Sequence, residues 1–175
     1  MNKLLIVIDM QNDFIDGSLG TKEAVNIVPN VIKKIKEYDG EVIYTRDTHD
    51  EKYLQTQEGI NLPVIHCLKE SKGWNIKDEI MVLAENSKSK IFNKPSFGST
   101  ELVDYIKEIY SNGQVAEVEI IGLCTDICVI SNAIMIKSSI PEIKVIVDSN
   151  CCAGVTPQSH KNALEAMKMC QIKII

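Results

Sequence analysis

The alternation of short apolar runs with segments of helical periodicity is the feature that most constrains the fold. The apolar runs are rich in valine and isoleucine, which is typical of strands buried on both faces of a parallel sheet. The predicted strands are Lys3–Ile8, Glu41–Thr45, Lys90–Phe92, Glu117–Ile121, Lys144–Val147 and Ile172–Ile175. Segments between them have apolar residues at helical spacing. The predicted helices are Val25–Tyr38, Thr100–Tyr110, Asp126–Ile136 and Pro157–Met169.

Strand–helix alternation of this kind predicts βαβ units. The predicted fold class is therefore α/β, a Rossmann-like three-layer sandwich whose mostly parallel six-stranded sheet has helices on both faces. A chain of 175 residues suits one core, and we expect a single domain over residues 1–175. The segment Asp47–Glu79 shows none of these patterns, and an irregular segment of that length is usually functional.

Composition and charge exclude several classes of partner. Hydrophobic residues make up 45% of the chain and the net charge is −5, so we expect a globular protein that binds neither nucleic acid nor a membrane surface. The apolar run Leu4–Ile8 ends at Asp9 and is too short for a signal sequence or a membrane span, which predicts a cytoplasmic protein. In that compartment the six cysteines are expected to be reduced, and most of them to be buried.

Reactive side chains follow the predicted strands. In open α/β sheets, ligands bind beyond the carboxyl ends of the strands, so residues just after the strands are expected to share one edge. These residues are Asp9, Asp47, His49, Lys94, Cys124, Cys128 and Asp148.

The two cysteines of 120-IIGLCTDICVISNA-133 differ in their local setting. Thr125 is expected to cap a helix, which places Cys128 near the third helical position. Backbone N–H groups and the helix dipole there favour a thiolate. The alternative is that Cys128 is a core residue on the same face as Ile130 and Ile134.

The aspartate and the lysine also have two interpretations each. Asp9 closes an apolar strand, where a carboxylate acts either as a general base or as a cap for nearby backbone N–H groups. Lys94 precedes a proline and follows a short strand, where it either stabilises an anion or lies on the solvated surface.

A second group of residues has the composition of a metal site. Asp47 and His49 lie two residues apart, and His66 returns from the irregular segment. One aspartate and two histidines leave coordination positions open, as a catalytic Zn²⁺ or Fe²⁺ site requires. The alternative is a chance pairing in which His66 caps a turn. His160 lies in a helical pattern and is expected to be structural or exposed.

Together these residues resemble the isochorismatase-like cysteine hydrolases, and within them the nicotinamidase/pyrazinamidase branch. The matching segments are 6-IVIDMQNDF, 45-TRDTH, 66-HC, 91-IFNKPSFGST and 122-GLCTDICV. The resemblance implies a catalytic triad of Asp9, Lys94 and Cys128, with Cys128 as the nucleophile. It also implies a cis Leu123–Cys124 peptide and an oxyanion hole formed by the backbone N–H groups of Cys124 and Cys128.

The resemblance implies a cofactor and a substrate as well. A divalent metal, with zinc expected first and iron or manganese as alternatives, is held by Asp47, His49 and His66. The substrate is a small amide, with nicotinamide as the leading candidate, and its pocket is formed by Phe14 and Leu123. Nicotinamidases usually have an aromatic residue before the segment 63-PVIHC, and here the position holds Leu62. Trp74 is the candidate to replace it.

Two other functions stay open from the sequence. One is an isochorismatase-type hydrolase that acts on a different small substrate. The other is a redox or binding module that uses Cys124, Cys128 and the adjacent Cys151 and Cys152. The resemblance also leads us to expect a homo-oligomer.

Overall fold

The computed structural model describes residues 2–175, and within them the strands form one six-stranded sheet. The strands are β1 (Lys3–Ile8), β2 (Glu41–Asp47), β3 (Ile91–Lys94), β4 (Glu117–Leu123), β5 (Lys144–Ala153) and β6 (Lys173–Ile174). Their order across the sheet is β3-β2-β1-β4-β5-β6, and every neighbouring pair is parallel. The predicted parallel six-stranded sheet is therefore confirmed.

Helices cover both faces of this sheet. They are α1 (Asn12–Ile15), α2 (Lys22–Glu37), α3 (Gln57–Asn61), α4 (Asp78–Asn86), α5 (Thr100–Ser111), α6 (Ile130–Ser139) and α7 (Pro157–Met169). Alternate residues of β1 enter two different cores: Leu4 and Ile6 pack in the core that includes α5, α6 and α7, and Leu5 and Val7 pack in the core that includes α1, α2 and α4. Both faces are buried, which confirms the predicted three-layer α/β sandwich.

The irregular segment Asp47–Glu79 contains more structure than its sequence pattern predicts. A 3₁₀ turn covers Tyr53–Gln55, α3 follows at once, and α4 begins at Asp78. The side chain of Thr56 caps α3 by accepting a hydrogen bond from the backbone N–H of Gly59. The helices α1 and α4 were also missing from the sequence prediction.

Two sequence predictions about strand and helix ends are wrong. Strand β5 continues to Ala153, so Asp148 lies within the strand and not at its carboxyl end. There its carboxylate pairs with the Lys34 ammonium at 2.8 Å. Thr125 does not cap the helix before Cys128: the cap position belongs to Cys124, and the Thr125 hydroxyl makes a 2.8 Å hydrogen bond with Nδ1 of His160.

The turn that carries Cys128 is a π-helical turn over Thr125–Val129, which runs directly into α6. The Leu123–Cys124 peptide before it is cis, as the resemblance implies. A search of the helices in residues 2–175 finds none with the length and apolar character needed to cross a membrane.

Candidate active site

Asp9 lies directly after β1 with its side chain fully buried. Its backbone is in the left-handed region, with φ of 46°, which turns the chain sharply out of the strand. The hydroxyl of Thr45 donates a 2.6 Å hydrogen bond to Oδ1 of Asp9 and accepts a 3.2 Å bond from the Asp9 backbone N–H. One threonine on the neighbouring strand therefore holds both the backbone and the carboxylate of Asp9.

Lys94 is the last residue of β3, and only 1% of its surface is exposed, so the surface-lysine alternative is wrong. Its Nζ lies 2.6 Å from Oδ2 of Asp9 and 3.3 Å from Oδ1 of Asp47. The same ammonium donates to the carbonyl oxygen of Ser96 at 3.0 Å and to Sγ of Cys128 at 3.4 Å. Lys94 thus contacts two carboxylates and one thiol, which lie at or beyond the ends of three different strands.

Cys128 is buried, and it is at once a core residue and a neighbour of Lys94. Asn132, one turn further along and fully buried, donates hydrogen bonds from Nδ2 to the carbonyl oxygens of Cys128 and Phe97. Its Oδ1 accepts from the backbone N–H of Ser99. Asn132 was not expected from the sequence, and it ties the turn that carries Cys128 to the loop after Lys94.

Burial and charge set the protonation of this cluster. Burial raises the pKa of the Cys128 thiol well above its ordinary value, and the Lys94 ammonium offsets this only in part. Burial also raises the pKa of Asp9, against the lowering effect of Lys94. For Lys94, the attraction of Asp9, Cys128 and Asp47 outweighs burial and raises the pKa. Burial of Cys128 therefore opposes the thiolate that the helix end was expected to favour, and Lys94 is the neighbour that favours it.

Four side chains form a compact group of possible metal-ligand atoms, and one of them, Asp47, contacts Lys94. One ligand atom from each of Asp47, His49, Glu58 and His66 lies within 4.8 Å of the other three. Oδ2 of Asp47 is 2.9 Å from Nε2 of His49 and 3.6 Å from Nε2 of His66. Oε1 of Glu58 is 3.7 Å and 3.8 Å from the same two nitrogens. The predicted trio is together, and Glu58 is a fourth candidate that the sequence reasoning missed.

The donor chemistry of this group fits a divalent metal. Nε2 of His49 is buried, and although it lies 2.9 Å from Oδ2 of Asp47 it has no partner in hydrogen-bonding geometry. Nδ1 of His66 is hydrogen-bonded to the carbonyl oxygen of Val64 at 2.8 Å, which leaves Nε2 facing the group as a ligand nitrogen. Burial alone would raise the pKa of Asp47, but the two imidazoles and Lys94 hold it well below its usual range, so this carboxylate is ionised. Two imidazoles and two carboxylates suit zinc, iron or manganese.

Aromatic side chains surround the two imidazoles. The ring of Tyr53 lies 4.6 Å from that of His49 and 4.9 Å from that of His66, and Phe14 lies 5.6 Å from His66. The Tyr53 hydroxyl donates to the carbonyl oxygen of Leu62 at 2.9 Å. Tyr53 was not predicted, and it links the imidazoles to the segment that follows α3.

Trp74 and Leu123, the other two predicted pocket residues, each pack against neighbouring side chains. The Arg46 guanidinium lies 3.4 Å from the centroid of the Trp74 ring, and the indole N–H donates to the Thr48 hydroxyl at 2.8 Å. One face of Trp74 is therefore covered by an arginine. The Leu123 side chain is fully buried in the core that includes α2. Substrate contact by these residues, like the oxyanion hole at Cys124 and Cys128, stays a prediction.

A separate cleft lies away from this site. A cavity of about 710 Å³ between α2 and β5 is lined by residues that include Lys34, Glu119 and Asp148. Lys34 bridges the two carboxylates at 2.8 Å each. Of the residues singled out from the sequence, Asp148 and Cys151 line it. All six cysteines are free thiols.

The isochorismatase domain model matches residues 3–175, nearly the whole chain. The chain belongs to the isochorismatase domain family. It is 24% identical over 218 residues to the nicotinamidase of Saccharomyces cerevisiae, with 99% of each chain covered. It is 28% identical over 184 residues to a probable inactive nicotinamidase of Arabidopsis thaliana, with 98% of this chain and 91% of that protein covered.

A solved structure of similar fold is the pyrazinamidase of Pyrococcus horikoshii in complex with zinc. The TM-score is 0.78 and the identity 28%, and the match covers 100% of this chain and 99% of that one. These matches confirm the predicted nicotinamidase-like branch, and with it the predicted enzyme class, a hydrolase that acts on amide C–N bonds.

Proposed function

We propose that the protein hydrolyses nicotinamide, or a closely related small amide, to the carboxylic acid and ammonia through a thioester on Cys128. The observation that carries this proposal is the position of Lys94, whose Nζ contacts Asp9, Asp47 and Cys128 within 3.4 Å. The relation to the yeast nicotinamidase supports the choice of nicotinamide.

The chemistry follows from the contacts that Lys94 makes with Asp9 and Cys128. Asp9 takes the proton of the Cys128 thiol, and the Lys94 ammonium stabilises the thiolate. Sulfur attacks the amide carbon, and the C–S bond forms as the carbonyl electrons move to oxygen. The backbone N–H groups of Cys124 and Cys128 are proposed to hold that oxyanion. The C–N bond then breaks as Asp9 returns its proton to nitrogen, and ammonia leaves.

The second half of the reaction reuses the same base. Asp9 takes a proton from water, the water oxygen attacks the thioester carbon, and the C–S bond breaks. The sulfur regains its proton, and the carboxylic acid leaves. General acid–base catalysis of this kind contributes roughly two to four powers of ten in rate.

A divalent metal, zinc first with iron or manganese as alternatives, is proposed to bind Asp47, His49, Glu58 and His66. Bound there, it would supply a Lewis acid able to accept a nitrogen or oxygen donor of the substrate. Tyr53 and Phe14 pack against the histidines and hold the imidazole planes in place.

The test is ammonia release from nicotinamide by the zinc-loaded protein. We expect release by the wild type and none by Cys128→Ala. A matched control is Cys151→Ala, which removes a buried thiol beside the separate cleft and should leave the rate unchanged. Equal rates in Cys128→Ala and the wild type would exclude the thioester mechanism.

A different small substrate is the second candidate, and one observation favours it. Leu62 stands where nicotinamidases usually have an aromatic residue, and one face of the Trp74 ring is already covered by Arg46. Zinc-loaded wild type that releases no ammonia from nicotinamide, yet hydrolyses another small amide or an isochorismatase-type substrate, would establish this alternative.

The homo-oligomer and the single domain over residues 1–175 are also proposals. The first rests on the family resemblance, and the second is supported by the family match over residues 3–175. Light scattering coupled to size exclusion gives the mass of the assembly in solution, and a monomer would contradict the first proposal.

A further inference from the structure

One short segment, Gln11–Phe14, contacts the parts of the chain that carry Asp47 and His66. It lies between β1 and α2 and includes the first three residues of helix α1. None of its side chains belongs to the group of four candidate metal ligands. Its hydrogen bonds nevertheless reach the backbone of one ligand and the residue next to another.

Gln11 holds the backbone of Asp47 with both ends of its side-chain amide. Its Oε1 accepts a 2.7 Å hydrogen bond from the Asp47 N–H, and its Nε2 donates a 2.8 Å bond to the Asp47 carbonyl oxygen. Nε2 also donates a 2.9 Å hydrogen bond to the carbonyl oxygen of Trp74. The amide is fully buried, so water does not compete for these bonds. Asp47 pairs with a strand on one side only, that of β3. On its other side, Gln11 supplies the hydrogen-bond acceptor and donor that a neighbouring strand would supply.

Asp13 holds the second ligand segment in a similar way. Its Oδ2 accepts a 2.7 Å hydrogen bond from the backbone N–H of Cys67, the residue after His66. Cys67 has φ of 47°, in the left-handed region that a non-glycine residue adopts only when its surroundings hold it there. A side chain on Gly73 would overlap the Asp13 carboxylate, so the glycine is what admits Asp13 to this position. Phe14 adds a ring contact to His66.

We propose that Gln11 and Asp13 are positioning residues that set the metal site: Gln11 fixes Asp47, and Asp13 fixes the turn that presents His66. This inference rests on the proposed metal site. Both side chains act through backbone groups and do not ligate the metal. Both ends of the Gln11 amide are hydrogen-bonded to the backbone, and Oδ2 of Asp13 accepts from the Cys67 N–H. Groups of this kind hold ligands in place before the metal arrives, and their loss typically weakens metal affinity by about 10–100-fold.

The segment offers a matched set of variants. Gln11→Met keeps the size of the side chain and removes its hydrogen bonds. Asp13→Ala removes the acceptor for Cys67, and Asp13→Asn keeps an oxygen in the same place. Asn12→Ala is the control, because the Asn12 side chain donates to the carbonyl oxygen of Lys72, in a loop that holds no candidate ligand, and its backbone N–H bond to Asn75 is kept.

The measurement is zinc affinity of the full-length protein, stripped with a chelator and titrated against a zinc indicator dye, with circular dichroism to verify folding. We expect Gln11→Met and Asp13→Ala to bind zinc about 10–100-fold more weakly. Asn12→Ala and Asp13→Asn should stay within about threefold of wild type. A role in stability alone would lower the melting temperature of the variants without moving the zinc affinity of the folded protein.

The outcomes separate the inference from the metal site on which it rests. Wild type that takes up no zinc overturns both. Wild type that binds zinc, with folded Gln11→Met and Asp13→Ala that bind it equally tightly, leaves the metal site standing and overturns the inference. If Gln11→Met does not fold, the two Asp13 variants decide, and equal affinities in Asp13→Ala and Asp13→Asn overturn the role of the Asp13 acceptor.

Discussion

Thr45 offers a direct test of how the proposed base is controlled. Its hydroxyl donates a 2.6 Å bond to Oδ1 of Asp9 in a fully buried setting. Thr45→Val keeps the shape and removes the donor. Loss of a hydrogen bond to a charged acceptor costs about 1.5–3 kcal/mol, and the Asp9 backbone N–H also loses its 3.2 Å acceptor. We expect a loss of stability of at least that size where Asp9 is ionised.

The pH dependence gives the prediction its sign. The hydroxyl lowers the pKa of Asp9, so its removal raises that pKa further above the ordinary value of 3.8. The stabilisation that Thr45 supplies is fully present at high pH, where the carboxylate is charged. It is lost as pH falls through the folded pKa of Asp9, because the protonated group no longer needs the donor. The acid limb of the activity profile should move to higher pH for the same reason.

Urea unfolding of wild type and Thr45→Val at a series of pH values, from alkaline to mildly acidic, measures this effect. The difference in unfolding free energy should shrink steadily as pH falls. Thr45→Ser, which retains the hydroxyl, is the control and should follow wild type. A difference that is the same at every pH would refute the reasoning, because it would show that the hydroxyl does not act on the ionised carboxylate.

Three further predictions concern residues around the same site. Lys94→Met leaves the Asp9 carboxylate buried without its ammonium, which should cost about 3–5 kcal/mol in unfolding free energy. It should also slow alkylation of Cys128 at alkaline pH, followed by mass spectrometry of the labelled peptide, and an unchanged rate would contradict it. Glu58→Gln should weaken zinc binding about tenfold or more in the dye competition, whereas unchanged affinity would remove Glu58 from the ligand set. Tyr53→Phe loses one hydrogen bond, about 1 kcal/mol by thermal or urea unfolding, and should keep its zinc affinity, while Tyr53→Ala should lower both.

The strand ends were predictable because their signal is local. An apolar run precedes each of Asp9, Asp47 and Lys94, and the end of each run is visible in the local sequence. Parallel strand pairing then brings these ends to one edge of the sheet. β5 shows the limit of this rule. Its run continues past the polar Asp148, because Lys34 pairs with that carboxylate and lets a charge lie within the sheet.

Glu58 and Tyr53 were missed because their role depends on how a segment without strong periodicity folds back. A weak signal was present in 56-TQEG, where a threonine precedes a short helix with an acidic first turn. That signal predicts the helix but not its position against His49 and His66. Only the tertiary fold brings a residue of α3 next to ligands from either side of it in sequence.

The sequence argument for a Cys128 thiolate left out one physical effect, burial. The sequence argument considered the helix end alone, which favours a thiolate. In the folded protein the thiol is desolvated by its core neighbours, and this outweighs the attraction of Lys94. Burial depends on the surrounding elements, and local spacing gives no measure of it.

Lys94 has one ammonium group and two aspartate partners, at 2.6 Å and 3.3 Å. The proposed base and the proposed metal ligand therefore compete for the same cation. A change at Asp9 alters how firmly Asp47 is held, and a change at Asp47 alters how much positive charge remains for Asp9. The energetic effects of substitutions at the two aspartates are not independent, and in a double-mutant cycle they should differ from the sum of the single effects. The two halves of the site are one thermodynamic unit joined at a single nitrogen.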